Sequence, residues 1–276
     1  MRPIVSVQGR SEAKRESQKS KLASHKAKFA ASAGVVNRRW SDYSRRQFAN
    51  AAMQTRPKVK ICCIKSAEEA ALAISCGASA VGLVSAMPSG PGVISEDAIA
   101  QIAATVPPPI ATFLLTCECS PDAIIAQQRR CGTNTVQLCD HLPPTIYPRL
   151  REGLPGVRLV QVVHVIDDAS VDYAIAAAAH VDALLLDSGN LSLAIRQLGG
   201  TGRTHDWTLS RRIRDNVSIP IYLAGGLNPG NVAAAIAAVD PFGLDLCSSV
   251  RTNDDLDPIK LRAFFTAIPS ADNANA

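Results

Sequence analysis

From Val59 onward, short apolar runs rich in β-branched residues alternate with alanine-rich stretches whose apolar positions recur at helical spacing. The apolar runs predict eight strands, over residues 59–63, 79–84, 109–115, 135–139, 158–165, 182–187, 219–224 and 242–247. The intervening stretches predict helices near residues 66–76, 95–105, 121–131, 145–152, 170–178, 206–215, 229–239 and 258–267. Ser66, Ser95 and Ser120 stand where N-caps are expected.

This order of elements predicts the fold class. Eight βα units within about 210 residues favour an α/β fold of the parallel (β/α)8 type, a TIM barrel. The alternative is a doubly wound open sheet, which usually carries a glycine-rich phosphate loop after its first strand. Here "CCIKS" occupies that position, so the barrel is preferred. In a barrel the chemistry lies where strands end, which makes the residues closing each apolar run the candidates.

The first 57 residues follow a different pattern. They are rich in Ser, Ala, Lys and Arg and lack apolar periodicity, which predicts a disordered basic leader. An organelle-targeting segment, or a true start at Met53, are the alternatives. The barrel is expected over 58–270, followed by a disordered tail over 271–276.

Charge is distributed unevenly between these parts. Residues 1–58 hold 14 basic and 3 acidic side chains, a balance of +11, whereas the remaining 218 residues hold 15 basic and 21 acidic ones, a balance of −6. The basic excess therefore belongs to the leader, and nothing in the charge pattern favours nucleic-acid binding by the barrel.

Apolar run length and cysteine spacing give no sign of a membrane protein or of a cysteine-based metal site. The longest apolar stretches fall short of the roughly 18–20 residues that span a bilayer, so no membrane segment is predicted. The eight cysteines form neither C-x-x-C pairs nor a Cys/His cluster, so no metal site is predicted. A reducing compartment follows, with the cytoplasm expected and an organelle as the alternative that the leader leaves open.

The first strand ends in two adjacent cysteines. Side chains alternate along a strand, so only one of Cys62 and Cys63 can face the barrel axis. Cys62 shares the parity of Lys60, whose charge would favour a thiolate, and is the better candidate for the interior mouth. The alternative for Cys62 is a buried, inert thiol, and that is the interpretation kept for Cys63.

The sixth strand ends in Asp187, after "ALLL". A carboxylate that closes an apolar strand is costly to bury unless it is paired or lies in a cleft, although a simple turn role is the alternative. The long loop that follows, Ser188 to Trp207, offers glycine backbone, hydroxyls and a cation suited to an anion. Its candidate residues are Gly200, Thr201, Gly202 and Arg203.

Small residues follow the last two strands. Gly225 and Gly226 come after strand seven, and Ser248 and Ser249 come after strand eight. Barrels commonly bind a phosphate in these two loops, so we expect a phosphate site here. A turn without ligand is the alternative for the glycine pair.

Together these segments resemble the phosphoribosylanthranilate isomerase family, barrel enzymes of tryptophan biosynthesis. The family pattern reads K-I-C-G at strand one, V-Q-L-H-G after strand four, L-L-D at strand six, G-G-T-G-x-x-F-D-W before helix six, L-A-G-G-L-x-P-x-N-V after strand seven and S-S-G-V after strand eight. Here the segments are "KICC", "VQLCD", "LLLD", "GGTGRTHDW", "LAGGLNPGNV" and "CSSVR". The resemblance covers about residues 59–267.

The resemblance implies an aldose–ketose isomerase that performs an Amadori rearrangement of N-(5-phosphoribosyl)anthranilate, with Cys62 as general base and Asp187 as general acid. It implies a small phosphorylated substrate, no metal or organic cofactor, and a monomer or homodimer. The expected substrate- and phosphate-binding residues are Lys60, Gly200, Thr201, Gly202, Arg203, Gly225, Gly226, Ser248 and Ser249.

Several departures from the family pattern bear on the substrate and the site. Gly92 stands in place of the arginine of S-P-R-Y-V, Cys63 in place of the glycine after the base, Cys139 in place of the histidine of V-Q-L-H-G, Ser249 in place of the glycine of S-S-G, and Arg251 in place of an acid. The family's arginine contacts the anthranilate end of the substrate. Either Arg203 or Arg251 supplies the missing cation, or the substrate carries a different amine.

Three other functions stay open from the sequence. One is a barrel isomerase acting on another phosphoribosyl amine. A second is a lyase or aldolase, for which Lys60 is the interior candidate for a Schiff base. The third is a non-catalytic barrel that binds a phosphorylated metabolite.

Overall fold

The structure is a computed structural model that describes residues 56–189 and 204–269. The predicted leader, except for Arg56 and Pro57, and the predicted tail lie outside the described residues. The candidates Gly200, Thr201, Gly202 and Arg203 also lie outside them.

Eight parallel strands close into a barrel in sequence order. They are β1 (Lys58–Ile61), β2 (Ala80–Val84), β3 (Ala111–Thr116), β4 (Thr135–Leu138), β5 (Arg158–His164), β6 (Ala183–Asp187), β7 (Ile221–Leu223) and β8 (Gly243–Leu246). β1 pairs with β8 as well as with β2, so the sheet has no free edge. The predicted barrel is confirmed, and the open sheet is excluded.

A helix follows each strand on the outside of the barrel. These are α1 (Ala67–Ser75), α2 (Glu96–Thr105), α3 (Pro121–Cys131), α4 (Tyr147–Gly153), α5 (Asp168–Ala178), α6 (Trp207–Asn216), α7 (Val232–Val239) and α8 (Pro258–Ala267). A short hairpin of β9 (Arg251–Thr252) and β10 (Asp255–Leu256) lies between β8 and α8.

Two of the three predicted serine caps form. Ser66 Oγ accepts a hydrogen bond from the Glu69 N–H, and Ser95 Oγ accepts one from the Ala98 N–H. Ser120 makes no such bond. Pro121 stands at the first helical position, where its fixed φ favours the helix and its missing N–H leaves one donor fewer to satisfy.

The apolar residues form an inner and an outer layer, as strand alternation requires. In β6, Leu184 and Leu186 pack in the cluster between strands and helices, whereas Ala183 and Leu185 pack in the cluster inside the barrel. Asp187 continues the inner series at the carboxyl end of the strand. Within the described ranges, no helix combines the length and apolarity that crossing a bilayer requires.

Candidate active site

A pocket opens at the carboxyl ends of the strands, where this fold places its chemistry. It brings together six of the residues singled out in the sequence: Cys62, Asp187, Gly225, Gly226, Ser248 and Ser249. They come from four different strand ends, β1, β6, β7 and β8. Among the described residues that line it, none is a lysine or an arginine.

Lys60 lies inside the barrel and does not contribute to the described pocket lining. Its side chain is fully buried, and Nζ is 2.8 Å from Asp245 Oδ1 and 5.3 Å from the centre of the Phe113 ring. Burial alone would lower the pKa of Lys60, but the Asp245 carboxylate and neighbouring thiols raise it above its ordinary value. An amine held as ammonium is not a nucleophile, so the geometry gives no support to a Schiff base on Lys60.

The surroundings of Cys62 lower the pKa of its thiol and so favour the thiolate. A hydrogen bond with Cys63 lowers its pKa most, burial opposes that shift, and the positive charge of Lys60 lowers the pKa further. A thiol with a lowered pKa is ionised to a larger fraction at neutral pH, and the thiolate is the form that can accept a proton.

The pKa of the Asp187 carboxyl group is shifted in the opposite direction. Burial raises the pKa of its carboxyl group above the ordinary value, against the Ser188 N–H, which donates to Oδ1 at 2.7 Å, and the charge of Lys60. The two shifts bring the pKa values of the thiol and the carboxyl group toward neutral pH, where a general base and a general acid are most effective. The arrangement therefore supplies both partners for a pair of proton transfers.

Cys63 also lines the pocket, which the alternation rule did not predict. β1 ends at Ile61, and Cys63 has a left-handed φ of 63°, so strand alternation no longer determines where its side chain points. Its Sγ lies 3.4 Å from the Pro91 carbonyl oxygen and 2.9 Å from Cys247 Sγ. Hydrogen bonds with Cys247 and Cys62, together with burial, raise the pKa of the Cys63 thiol.

Cys63 and Gly92, two of the departures from the family pattern, lie against each other. A Cβ placed on Gly92 would stand 2.4 Å from Cys63 Cβ, a contact that cannot be accommodated, and Gly92 has a φ of 76°. A side chain at position 92 is therefore incompatible with the cysteine at position 63.

The glycine and serine residues lie on the side of the pocket formed by β7 and β8. Gly225 and Gly226 have left-handed φ values of 86° and 62°, which glycine adopts without strain. Ser249 Oγ is buried and has no hydrogen-bond partner among the described atoms. A buried hydroxyl without a partner is available to a bound anion.

Arg251 does not supply the cation that the sequence left open. It is buried, lies outside the pocket lining, and donates to Glu69 Oε1 at 3.0 Å and Oε2 at 3.2 Å. It also donates to the carbonyl oxygens of Cys62 and Cys63. Both of its Nη groups are engaged in these hydrogen bonds around the end of β1, and Arg203 lies outside the described residues.

Several further pocket residues were not identified as candidates from the sequence, among them Gln137, Asp245 and Cys247. Gln137 Oε1 is buried without a partner in the described part of the chain. A polar side chain at an inward position of an apolar strand was the available signal for Gln137 in "TVQLC" and for Asp245 in "FGLDLC".

Comparison with known proteins gives one consistent result. The profile of the family described as N-(5'phosphoribosyl)anthranilate (PRA) isomerase matches residues 59–267. The chain is 33% identical to the N-(5'-phosphoribosyl)anthranilate isomerase of Methanocella arvoryzae, over 74% of this chain and 93% of that protein. It is 34% identical to isomerase 2 of Methanosarcina mazei, over 75% of this chain and 92% of that protein.

A solved structure agrees with this result. The phosphoribosyl anthranilate isomerase of Thermotoga maritima superposes with a TM-score of 0.66 at 28% identity, covering 77% of this chain and 98% of that one.

Proposed function

Because the chain belongs to the N-(5'-phosphoribosyl)anthranilate isomerase family, we propose that Cys62 and Asp187 perform the two proton transfers of its reaction. That reaction is an Amadori rearrangement in tryptophan biosynthesis, in which N-(5'-phosphoribosyl)anthranilate becomes the 1-deoxyribulose 5-phosphate product. One observation carries the assignment: the two groups line one pocket and their pKa values are shifted in opposite directions.

In the proposed sequence, Asp187 acts first as the general acid. Its carboxyl proton passes to the furanose ring oxygen as the C1–O bond breaks, which leaves an iminium at C1 and a free C4 hydroxyl. The Cys62 thiolate then removes the proton on C2, and the electron pair neutralises the iminium to give an enolamine. Tautomerisation of the enolamine yields the amino-deoxyketose.

The phosphate is proposed to lie against Gly225, Gly226, Ser248 and Ser249. The glycines offer backbone N–H groups that no side chain obstructs, and the unpartnered Ser249 Oγ offers a hydroxyl. Gly200, Thr201, Gly202 and Arg203 stay proposed ligands on the basis of their sequence. Lys60 acts in this proposal on the charge of Cys62 and not on the substrate, because its amine pairs with Asp245.

The assembly and location of the protein are proposed on the family's behaviour. A solved isomerase from Thermotoga maritima is described as dimeric, and we propose a monomer or homodimer here. Light scattering during gel filtration distinguishes these from larger assemblies. We propose the cytoplasm as the location, and microscopy of a carboxyl-terminal fluorescent fusion would contradict this by showing signal in an organelle.

Isosteric substitutions in the purified full-length enzyme test the catalytic assignment. We expect Cys62→Ser and Asp187→Asn each to lower kcat by about 100-fold or more, because each removes one proton-transfer group. Cys131→Ser makes the same one-atom change at a buried thiol of α3, outside the described pocket lining, and controls for lost packing. Circular dichroism confirms that each variant is folded.

Retention of more than a tenth of wild-type kcat by either active-site variant would contradict its assigned role. Complementation of a tryptophan auxotroph that lacks this isomerase gives the parallel test in cells. Rescue by wild type but by neither variant is expected.

A further inference from the structure

The catalytic proposal leaves two pocket thiols without a role, Cys63 and Cys247. Both line the same pocket as Cys62, and their sulfur atoms are 2.9 Å apart. A disulfide requires about 2.05 Å between sulfurs, so closure demands a shift of less than about 1 Å.

The backbone places the pair at a suitable separation. Cys63 follows the end of β1 and Cys247 follows the end of β8, and these strands are neighbours in the barrel. The ladder continues past the strands, since the Cys62 N–H donates to the Leu246 carbonyl oxygen at 2.7 Å. Neighbouring strands lie about 4.8 Å apart, within reach of the Cα spacings that disulfides span.

We propose that Cys63 and Cys247 form a reversible disulfide that inhibits the isomerase. The co-reactant is a low-molecular-weight disulfide such as oxidised glutathione. The Cys247 thiolate attacks one of its sulfurs and releases the first thiolate, and the Cys63 sulfur then attacks Cys247 Sγ and releases the second. Two protein thiols are oxidised, one small disulfide is reduced to two thiols, and the two protons go to the released thiolates.

Cys247 is the thiol that meets the reagent first. It is partly exposed in the pocket, whereas Cys63 is only 4% exposed and lies behind it against the Pro91 carbonyl oxygen. Cys63 therefore acts as the resolving thiol.

Two consequences of closure reach the active site. The Cys63 S–H group, which lowers the pKa of Cys62, is lost, and closure pulls on Ser248, the residue after Cys247. Shifts of about 1 Å in a catalytic site can lower turnover by up to about 100-fold. The bond itself does not depend on the proton-transfer roles proposed for Cys62 and Asp187.

Peptide mapping of the full-length enzyme after treatment with oxidised glutathione tests the bond. Trypsin releases Cys62 and Cys63 together, in the peptide 61–65, so the mapping is also done in two variants. We expect this peptide to be joined to the one that contains Cys247 in wild type, in Cys62→Ala and in the distant control Cys131→Ala, but not in Cys63→Ala. A link that persists in Cys63→Ala and disappears in Cys62→Ala, or glutathione adducts without any link, would overturn the assignment.

Activity measured on the same samples tests the inhibition. The activity lost by the wild type is expected to be proportional to the linked fraction, and the fully linked enzyme should be about tenfold or more less active. Dithiothreitol should restore the activity. Cys247→Ala, compared with its own reduced form, should lose both the link and the reversible inhibition. Inhibition that survives in Cys247→Ala would assign the effect to another thiol, and linked wild type with full activity would refute the switch.

Discussion

A buried ion pair sets the electrostatics of the active site. Lys60 and Asp245 lie within 2.8 Å of each other inside the barrel, and both charges act on the Cys62 thiol. The lysine lowers the pKa of Cys62 and the aspartate raises it. Because these effects oppose each other, removing one partner at a time should move the activity profile in opposite directions.

The pH dependence of kcat/KM measures the effect of each charge on the pKa of Cys62. The base must be deprotonated, so activity should rise with pH as Cys62 ionises. Lys60→Met removes the favourable charge and should move the rising limb to higher pH, by about one pH unit. Asp245→Asn removes the unfavourable charge, while the neighbouring thiols still favour the ammonium form of Lys60, so the limb should move to lower pH.

A purely structural role for the pair predicts something different. Loss of packing would lower activity in both variants without opposite displacements of the limb. Shifts of the same sign would therefore contradict the charge argument.

The sequence identified Cys62 and Asp187 because both close an apolar strand in a fold where strand ends carry chemistry. It missed the position of Cys63, since alternation applies only while the strand continues and β1 ends at Ile61. It also missed Asp245, because the partner of Lys60 lies 185 positions away and becomes a neighbour only when the barrel closes.

The end of β1 is held by an element that the apolar pattern did not predict. The hairpin of β9 and β10 is too short to show periodicity, and Asn253 and Asp254 turn it with left-handed φ values of 51° and 68°. It carries Arg251, which bridges Glu69 in the first helix and the carbonyl oxygens of the two cysteines. One guanidinium thus fixes the left-handed turn at Cys63.

Removal of this guanidinium should destabilise the fold markedly. Arg251→Met leaves Glu69 partly buried and without its cation, and we expect the free energy of unfolding in urea to fall by about 3–5 kcal/mol. Arg149→Met is the matched control. Arg149 also contacts two acids, Asp122 and Glu152, but it is half exposed and both acids are more than 70% exposed.

The control should cost less than about 1 kcal/mol, since solvent screens exposed ion pairs. Similar losses in the two variants would mean that Arg251 contributes no more than a surface residue.

The eight βα units were predictable because each strand and helix has its own local periodicity, 2.0 or 3.6 residues. Their bounds were less predictable. The run 219–224 contains the strand Ile221–Leu223, and Pro220 before it has no N–H to donate to a ladder. Single hydrogen bonds to β6 continue past both ends, at the Pro220 carbonyl oxygen and the Ala224 N–H. Periodicity identifies an element, but it does not define the residue at which the strand ends.

The barrel closes within the described residues, so we expect its fold not to require most of the basic segment before it. The family profile begins at residue 59, and the described structure begins at Arg56, whose side chain donates to the Phe265 carbonyl oxygen of α8. A chain that starts at Met53 retains this contact. We expect its kcat/KM and melting temperature to match those of the full chain, with kcat/KM within about twofold.

Enzyme assays and calorimetry of the two purified chains measure this. A larger loss in the shorter chain would show that residues 1–52 contribute to the barrel or its site.

The contact between Cys63 and Gly92 limits how this active site could have evolved. The family pattern has glycine at the position of Cys63 and arginine at the position of Gly92. Side chains at both positions would overlap, with Cβ atoms 2.4 Å apart. A Cβ at position 92 would also stand 2.9 Å from Cys63 Cα, a backbone atom, so replacing Cys63 with glycine alone leaves no room for an arginine at position 92 and the backbone would have to move as well.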